Sequence, residues 1–129
     1  MQRHINFSEG KAACLCNFGN AYGSLGQYQR AINLHQQHYE IVRKIGDRRG
    51  EANALCNLGS AYNSLGQYQR AIDFLQQSLE IVREIGNQRG EANSLNNLGL
   101  AYNSLGQYQR AIDFLQQSLN NSPDKIRQR

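Results

Sequence analysis

A segment of nineteen residues occurs twice in this chain without a single difference. AYNSLGQYQRAIDFLQQSL occupies residues 61–79 and again residues 101–119, and a related copy, AYGSLGQYQRAINLHQQHY, occupies residues 21–39. The three copies recur with a constant period of 40 residues. Periods of 20 to 50 residues are typical of solenoids, propellers and other arrays, so the chain is expected to fold as a stack of similar units.

The spacing of apolar residues inside each unit predicts helices. In the second unit the apolar residues stand three or four positions apart, first from Leu55 to Leu65 and then from Tyr68 to Val82. This spacing is the period of an α-helix and differs from the alternation of a strand. Each unit is therefore predicted to contain two helices joined by a short turn.

Glycines mark the predicted helix ends. Gly26, Gly66 and Gly106 end the first helix of each unit, and Gly46 and Gly86 end the second helix. Glycine adopts the left-handed conformation that commonly closes a helix. Asp47 and Asn87 follow the second set and suit the N-cap of the next helix. Gly19, Gly59 and Gly99 lie inside the first helices, where a close neighbouring helix would explain them.

These positions resemble the pattern of the tetratricopeptide repeat family. The second unit matches at Leu55, Leu58, Gly59, Tyr62, Ala71, Leu75 and Ser78. The third unit matches at Leu95, Leu98, Gly99, Tyr102, Ala111, Leu115 and Ser118, and the first at Leu15, Phe18, Gly19, Tyr22, Ala31, His35 and His38. The period of 40 residues departs from the family's period of about 34. Arg43 and Arg83 replace the usual closing proline, which the third unit retains as Pro123.

The resemblance implies an all-α fold, a right-handed superhelical solenoid of three antiparallel helix-turn-helix hairpins. Residues 8–121 would form the array, with repeats at about 8–46, 47–86 and 87–121. Residues 1–7 would form a loose N-terminal lead, and residues 122–129 a basic C-terminal tail. The family's 40-residue variety is similar to repeats of polarity adaptors, kinesin light chains and bacterial signalling proteins.

The sequence carries few signs of chemistry. It contains no Gly-rich phosphate loop and no nucleophile motif, so neither an enzyme activity nor a cofactor is expected. No apolar run is long enough to span a membrane, and the expected location is the cytoplasm. Cys14, Cys16 and Cys56 are an odd number, and we interpret them as small packing residues in a reducing compartment.

One pair of residues in the first unit departs from the other units. His35 and His38 stand where the second unit has Leu75 and Ser78. Histidines three residues apart on a helix can hold a metal ion, but the sequence shows no matching third ligand. We therefore expect no metal site and interpret the pair as packing positions that have diverged in a terminal repeat.

The predicted binding residues are asparagines. The resemblance places the first helix of each hairpin on the concave side of the solenoid, where asparagines recur. These are Asn17, Asn57 and Asn97 at one equivalent position, with Asn20, Asn53 and Asn93 beside them. A carboxamide both donates and accepts hydrogen bonds, as does an extended peptide backbone. The row resembles the asparagine ladders of other tetratricopeptide arrays, which hold a peptide main chain, although an ordinary solvated helix face is the alternative.

The predicted function is therefore a scaffold that binds a protein partner through an extended peptide. The alternative is self-assembly, because the third unit ends without a capping helix over Phe114, Leu115 and Leu119. Those residues would pair with another copy, or the chain is a fragment of a longer array. The positive charge of +4 favours an acidic partner. Nucleic acid is not expected as a partner, because Tyr22, Tyr62 and Tyr102 belong to the predicted packing face and leave no groove aromatics for base stacking.

Overall fold

The computed structural model describes residues 2–121, with side chains from Phe7 onward, and this part of the chain contains six α-helices and no strand. The helices are α1 (Gln2–Ser24), α2 (Tyr28–Lys44), α3 (Arg48–Leu65), α4 (Tyr68–Glu84), α5 (Gln88–Ser104) and α6 (Tyr108–Asn120). The predicted all-α class with two helices per unit is confirmed. None of the helices in the described region combines the length and apolar character that a membrane crossing needs.

The helices pack in chain order as a solenoid. Each unit forms a hairpin, α1 with α2, α3 with α4 and α5 with α6, and the second helix of one hairpin packs on the first helix of the next. The first helices α3 and α5 also contact each other. Each repeat therefore contacts chiefly its neighbours, as in other helical repeat proteins.

The helix ends use the residues that the sequence indicated. Gly26, Gly46, Gly66, Gly86 and Gly106 all have positive φ angles, between 70° and 89°. The Asp47 and Asn87 side chains accept hydrogen bonds from the backbone N–H of Gly50 and Gly90, at 2.9 and 3.0 Å. These bonds satisfy amide groups that the first turn of a helix leaves without a partner.

The interior glycines bring the two helices of a hairpin close together. A Cβ atom on Gly59 would lie 2.5 Å from Leu75 Cγ and 3.1 Å from the carbonyl oxygen of Ala71. Gly99 has the same relation to Leu115, and Gly19 faces the imidazole ring of His35. The predicted reason for these glycines, close approach of a neighbouring helix, is confirmed.

The repeats are joined by an apolar core and by buried hydroxyl groups. Leu55, Leu75 and Leu95 are at most 1% exposed and belong to one apolar cluster spanning the second and third units. Beside it, Ser78 Oγ donates to the carbonyl oxygen of Ala52 at 2.9 Å and lies 3.0 Å from Ser94 Oγ. A buried polar group costs free energy unless it is hydrogen-bonded, and these bonds satisfy both serines.

The structure describes the backbone of most of the predicted N-terminal lead, but not the predicted C-terminal tail. Helix α1 begins at Gln2, so helix extends through most of residues 1–7, which the sequence analysis set apart as a lead. The predicted basic tail, residues 122–129, lies outside the described residues.

Identical sequence has different surroundings in α4 and α6. On α4, Ile72 and Leu79 are 1% and 7% exposed, because α5 packs over them. The equivalent Ile112 and Leu119 on α6 are 57% and 53% exposed. The described part of the chain therefore ends in an apolar helix face, as the sequence analysis expected.

Candidate functional site: the asparagine row and its surroundings

The six predicted asparagines all lie on the first helices of the hairpins. Four of them are exposed and two are half-buried. The exposed ones are Asn17 and Asn20 on α1, Asn53 on α3 and Asn93 on α5, and the half-buried ones are Asn57 on α3 and Asn97 on α5.

Two open cavities between α1 and α3 bring four of these asparagines together in pairs. The first cavity, of about 330 Å³, is lined by both Asn17 and Asn53. The second, of about 390 Å³, is lined by Asn20 and Asn57, with Ser60 beside them. We call these two cavities the α1–α3 cleft. Each cavity is therefore lined by one asparagine from each of two successive repeats.

The half-buried asparagines also link successive repeats. Asn57 Nδ2 donates to Cys16 Sγ of the preceding repeat at 3.6 Å, and Asn97 Nδ2 donates to Cys56 Sγ at 3.1 Å. This cross-repeat bond was not predicted, although the 41-residue separation of each pair repeats in the sequence. The bond to sulfur uses one N–H of each carboxamide, which has a second N–H and a carbonyl oxygen besides.

The three cysteines have different environments. Burial raises the pKa of the Cys16 and Cys56 thiols, and the asparagine hydrogen bonds lower it by less. Cys16 and Cys56 thus occupy positions between helices, as expected. Cys14 is exposed, so the packing role expected for it is wrong.

His35 and His38 lie beneath the α1–α3 cleft and are only 3% and 6% exposed. His38 lines the first cavity and His35 lines the second. One ligand atom from each histidine and the sulfur of Cys16 lie within 4.8 Å of one another. The sequence analysis saw no third ligand beside the two histidines, and this expectation is wrong because α1 places Cys16 there.

Charged side chains between the repeats form ion pairs, and tyrosines of the first helices form aromatic stacks. Arg48 pairs with Glu51 and Glu84 at 2.9 and 2.8 Å. Tyr62 and Tyr102 stack on phenylalanines of the following helix, with ring centroids 5.4 and 5.3 Å apart. The tyrosines thus belong to the packing between helices, as the sequence analysis expected.

Comparison with known proteins agrees with this architecture. A sequence model described as Tetratricopeptide repeat matches residues 50–124, and a second model with the same description matches residues 17–49. No curated protein matches the chain in sequence.

Three solved structures illustrate the similarity. The TPR domain of Arabidopsis FLU has a TM-score of 0.82 at 18% identity, covering 87% of this chain and 94% of that one. Aspartyl phosphate phosphatase F from Bacillus subtilis has a TM-score of 0.85 at 20% identity, covering 91% of this chain and 31% of that one. A Podosopora anserina putative kinesin light chain with nearly identical TPR-like repeats has a TM-score of 0.75 at 26% identity, covering 92% of this chain and 57% of that one.

The family models match most of the chain, and the six helices have the arrangement of tetratricopeptide hairpins. Proteins of this kind are generally protein–protein interaction modules and are typically non-enzymatic. The chain belongs to the tetratricopeptide repeat family.

Proposed function

We propose that this chain is a non-enzymatic scaffold that binds an extended peptide segment of a partner protein. The peptide lies in the α1–α3 cleft and continues along α5. The observation that supports this proposal is the pairing of Asn17 with Asn53, and of Asn20 with Asn57, in two cavities between α1 and α3. We place the interaction in the cytoplasm, where thiols such as Cys16 remain reduced.

The spacing of the repeats suits an extended peptide. Neighbouring packed helices lie about 8–10 Å apart, and an extended chain advances about 3.3 Å per residue. Where the first helices of successive repeats pack on each other, as α3 and α5 do, one repeat therefore corresponds to roughly three peptide residues. A carboxamide from each repeat would meet the peptide backbone at this interval, with Asn93 and Asn97 extending the row on α5.

Backbone hydrogen bonds provide affinity but little sequence selection, so selection must come from side chains around the cleft. Glu9 and Arg49 line the first cavity on α1 and α3. The second cavity is lined instead by small and polar residues such as Gly23 and Ser24. The proposal therefore expects charge preference at one end of the bound segment and small side chains at the other.

The test is a double substitution, N57A/N97A, assayed by fluorescence polarisation against labelled peptides selected from a library on the unmodified protein. A hydrogen bond contributes roughly 1 kcal/mol, so losing two should weaken binding by about tenfold or more. The matched control is N33A, which removes an exposed asparagine from the second helix of a hairpin. Equal affinities of N57A/N97A and N33A would refute the role of the row.

A second candidate function, self-assembly by end-to-end stacking, is favoured by the exposed face of α6. Within the chain, Leu58 and Ile32 pack together where α3 meets α2. Phe18 stands at the position of Leu58, is 53% exposed, and would meet the exposed Ile112 of another copy. Such a head-to-tail contact is heterologous and builds chains rather than closed dimers.

Light scattering coupled to size exclusion, over a concentration series, tests this candidate. Self-assembly predicts a mass that rises with concentration and falls to that of a monomer in I112K. The control is Q116K, because the equivalent Gln76 remains exposed where the next repeat is present. The peptide-binding variant N57A/N97A should assemble like the unmodified protein. A constant monomer would exclude stacking and leave peptide binding as the remaining function.

A further inference from the structure

We propose that Cys16, His35 and His38 form a binding site for a borderline-soft divalent metal ion of the Zn²⁺ type. One ligand atom from each of the three residues lies within 4.8 Å of the other two. Thiolate and imidazole are the preferred ligands of Zn²⁺. The site joins α1 to α2 within the first hairpin, and it does not depend on the binding of a peptide.

The histidines carry an independent indication of a ligand. His35 Nδ1 and His38 Nδ1 are buried and have no hydrogen-bond partner among the described residues. Both side chains are more than nine-tenths buried, and a buried polar atom without a hydrogen-bond partner destabilises the fold. The same two histidines form the three-residue cluster with Cys16, so a metal ion is the simplest occupant that would compensate this cost.

The other repeats show that packing alone does not require histidine. In the second unit the same interhelix space is filled by Leu75 and Ser78, with Cys56 at the position of Cys16. Leu75 is fully buried there, and Ser78 is hydrogen-bonded. In the first unit, two imidazoles replace the buried leucine and the hydrogen-bonded serine, and the neighbouring thiol is retained.

The geometry fits a metal ion after a small adjustment. Zn–S and Zn–N bonds of about 2.3 and 2.0–2.1 Å place tetrahedral ligand atoms roughly 3.3–3.7 Å apart. The three ligand atoms now lie within 4.8 Å of one another, so they would have to move closer by about 1 Å. Side-chain rotation can produce a movement of this size. Three protein ligands leave a fourth position for water or for a group of a bound partner.

Burial and hydrogen bonds act in opposite directions on the Cys16 pKa, and burial has the larger effect, whereas burial favours the neutral ligand form of both histidines. Asn57 and Asn20 donate to Cys16 Sγ at 3.6 and 3.8 Å, and such bonds stabilise a thiolate. Burial lowers the pKa of both His35 and His38, so both imidazoles are neutral at pH 7. Metal binding would then release one proton, from the Cys16 thiol to the solvent.

The test is a titration of the full chain with Zn²⁺ against a chromophoric chelator, and with Co²⁺ monitored by absorption. The expected result is one ion per chain, with a thiolate-to-cobalt charge-transfer band and a higher melting temperature at saturating Zn²⁺. The C16S variant should lose the charge-transfer band. In the H35L/H38S variant, which reproduces the second unit's own residues, affinity should fall by about 100-fold or more.

A matched control separates this site from incidental binding. The variant C14S removes an exposed cysteine outside the cluster, and it should bind like the unmodified protein. Circular dichroism checks that H35L/H38S is folded. If it is not, the single variant H38S replaces it in the Zn²⁺ titration. Equal Zn²⁺ affinity in the unmodified chain and in the histidine variants would overturn the proposal, as would a charge-transfer band that survives in C16S.

Discussion

Gly59 shows how one missing side chain sets the distance between two helices. A Cβ at this position would collide with Leu75 and lie 3.1 Å from the backbone of Ala71, which cannot rotate away. In an open helix, alanine is more favourable than glycine by about 1 kcal/mol. Here overpacking should reverse the sign, so we predict that G59A lowers the free energy of unfolding by about 1–3 kcal/mol in urea denaturation.

Gly10 provides the matched control, because it also lies within a helix but a Cβ added there would meet no neighbouring helix or side chain within 4 Å. The variant G10A should therefore be neutral, or more stable by up to about 1 kcal/mol. A G59A protein as stable as G10A would show that the α3–α4 contact is looser than the structure indicates.

His35 should make the metal-free protein less stable in acid. Burial, with a smaller effect of His38, lowers the pKa of His35 from 6.5 to about 4. Between these pH values the unfolded chain binds a proton that the folded chain excludes, so stability falls as the pH falls. The maximum slope for one such group is about 1.4 kcal/mol per pH unit.

The measurement is urea unfolding at several pH values in the presence of a chelator, with H35L as the comparison. The H35L variant should show a shallower decline between pH 6.5 and 4, because the titrating group is absent. Parallel curves for the two proteins would mean that His35 titrates alike in the folded and unfolded states.

The sequence pattern contains a signal for the proximity of Cys16 to His38. The glycine at position 19 predicted a close neighbour on α2, and the structure shows that this neighbour is His35. In an antiparallel hairpin, moving three residues back from Gly19 corresponds to moving three residues forward from His35. This step pairs Cys16 with His38, but it requires knowing the facing residue first, which periodicity alone does not supply.

At the scale of the helix, Asp47 should determine how firmly α3 begins. Its side chain accepts a hydrogen bond from the backbone N–H of Gly50 at 2.9 Å. Replacing such a cap by alanine typically costs about 1 kcal/mol. We predict that D47A lowers the midpoint of thermal unfolding, measured by circular dichroism.

The control is D73A, because Asp73 is exposed within α4 and, among the described residues, its side chain accepts only a bond from Gln69 at 3.4 Å. This variant should change stability by less than about 0.5 kcal/mol. If D47A and D73A have the same midpoint, the cap contributes nothing measurable to α3.

The two helices in each repeat could be predicted from the sequence, whereas the first residue of α1 could not. The end of a helix at Gly66 and the start of a helix at Asp47 could be predicted, because each residue has a specific backbone or capping role. The start of α1 had no such residue and no earlier repeat for comparison. The predicted first boundary at residue 8 was therefore set by the extent of the pattern, and the helix extends to Gln2.

At the scale of the whole molecule, identical segments differ in burial because burial depends on the neighbouring repeat. Residues 61–79 and 101–119 have the same sequence, yet Ile72 is 1% exposed and Ile112 is 57% exposed. A sequence pattern can identify the apolar face of a helix, but it cannot say whether another helix covers it. The asparagine row has the same limitation, since its positions are predictable and its ligand is not.

This modular packing predicts that the array can be lengthened without redesign. A second copy of residues 61–100, inserted after Leu100, keeps the 40-residue period, because the segment that follows each junction is identical. The inserted unit would cover the apolar face of α4, and its own copy of α4 would present the same face to the next repeat. Since repeat stability is approximately a sum of unit and interface contributions, the longer chain should have a higher urea midpoint and a larger free energy of unfolding.

Deleting residues 61–100 is the converse change and should lower both quantities, because it removes one hairpin and one interface between hairpins. Circular dichroism would record the helix content of each chain, and urea denaturation its stability. A lengthened chain with an unchanged midpoint would show that the added hairpin and its interface contribute no measurable stability, which would contradict the additive description of this array.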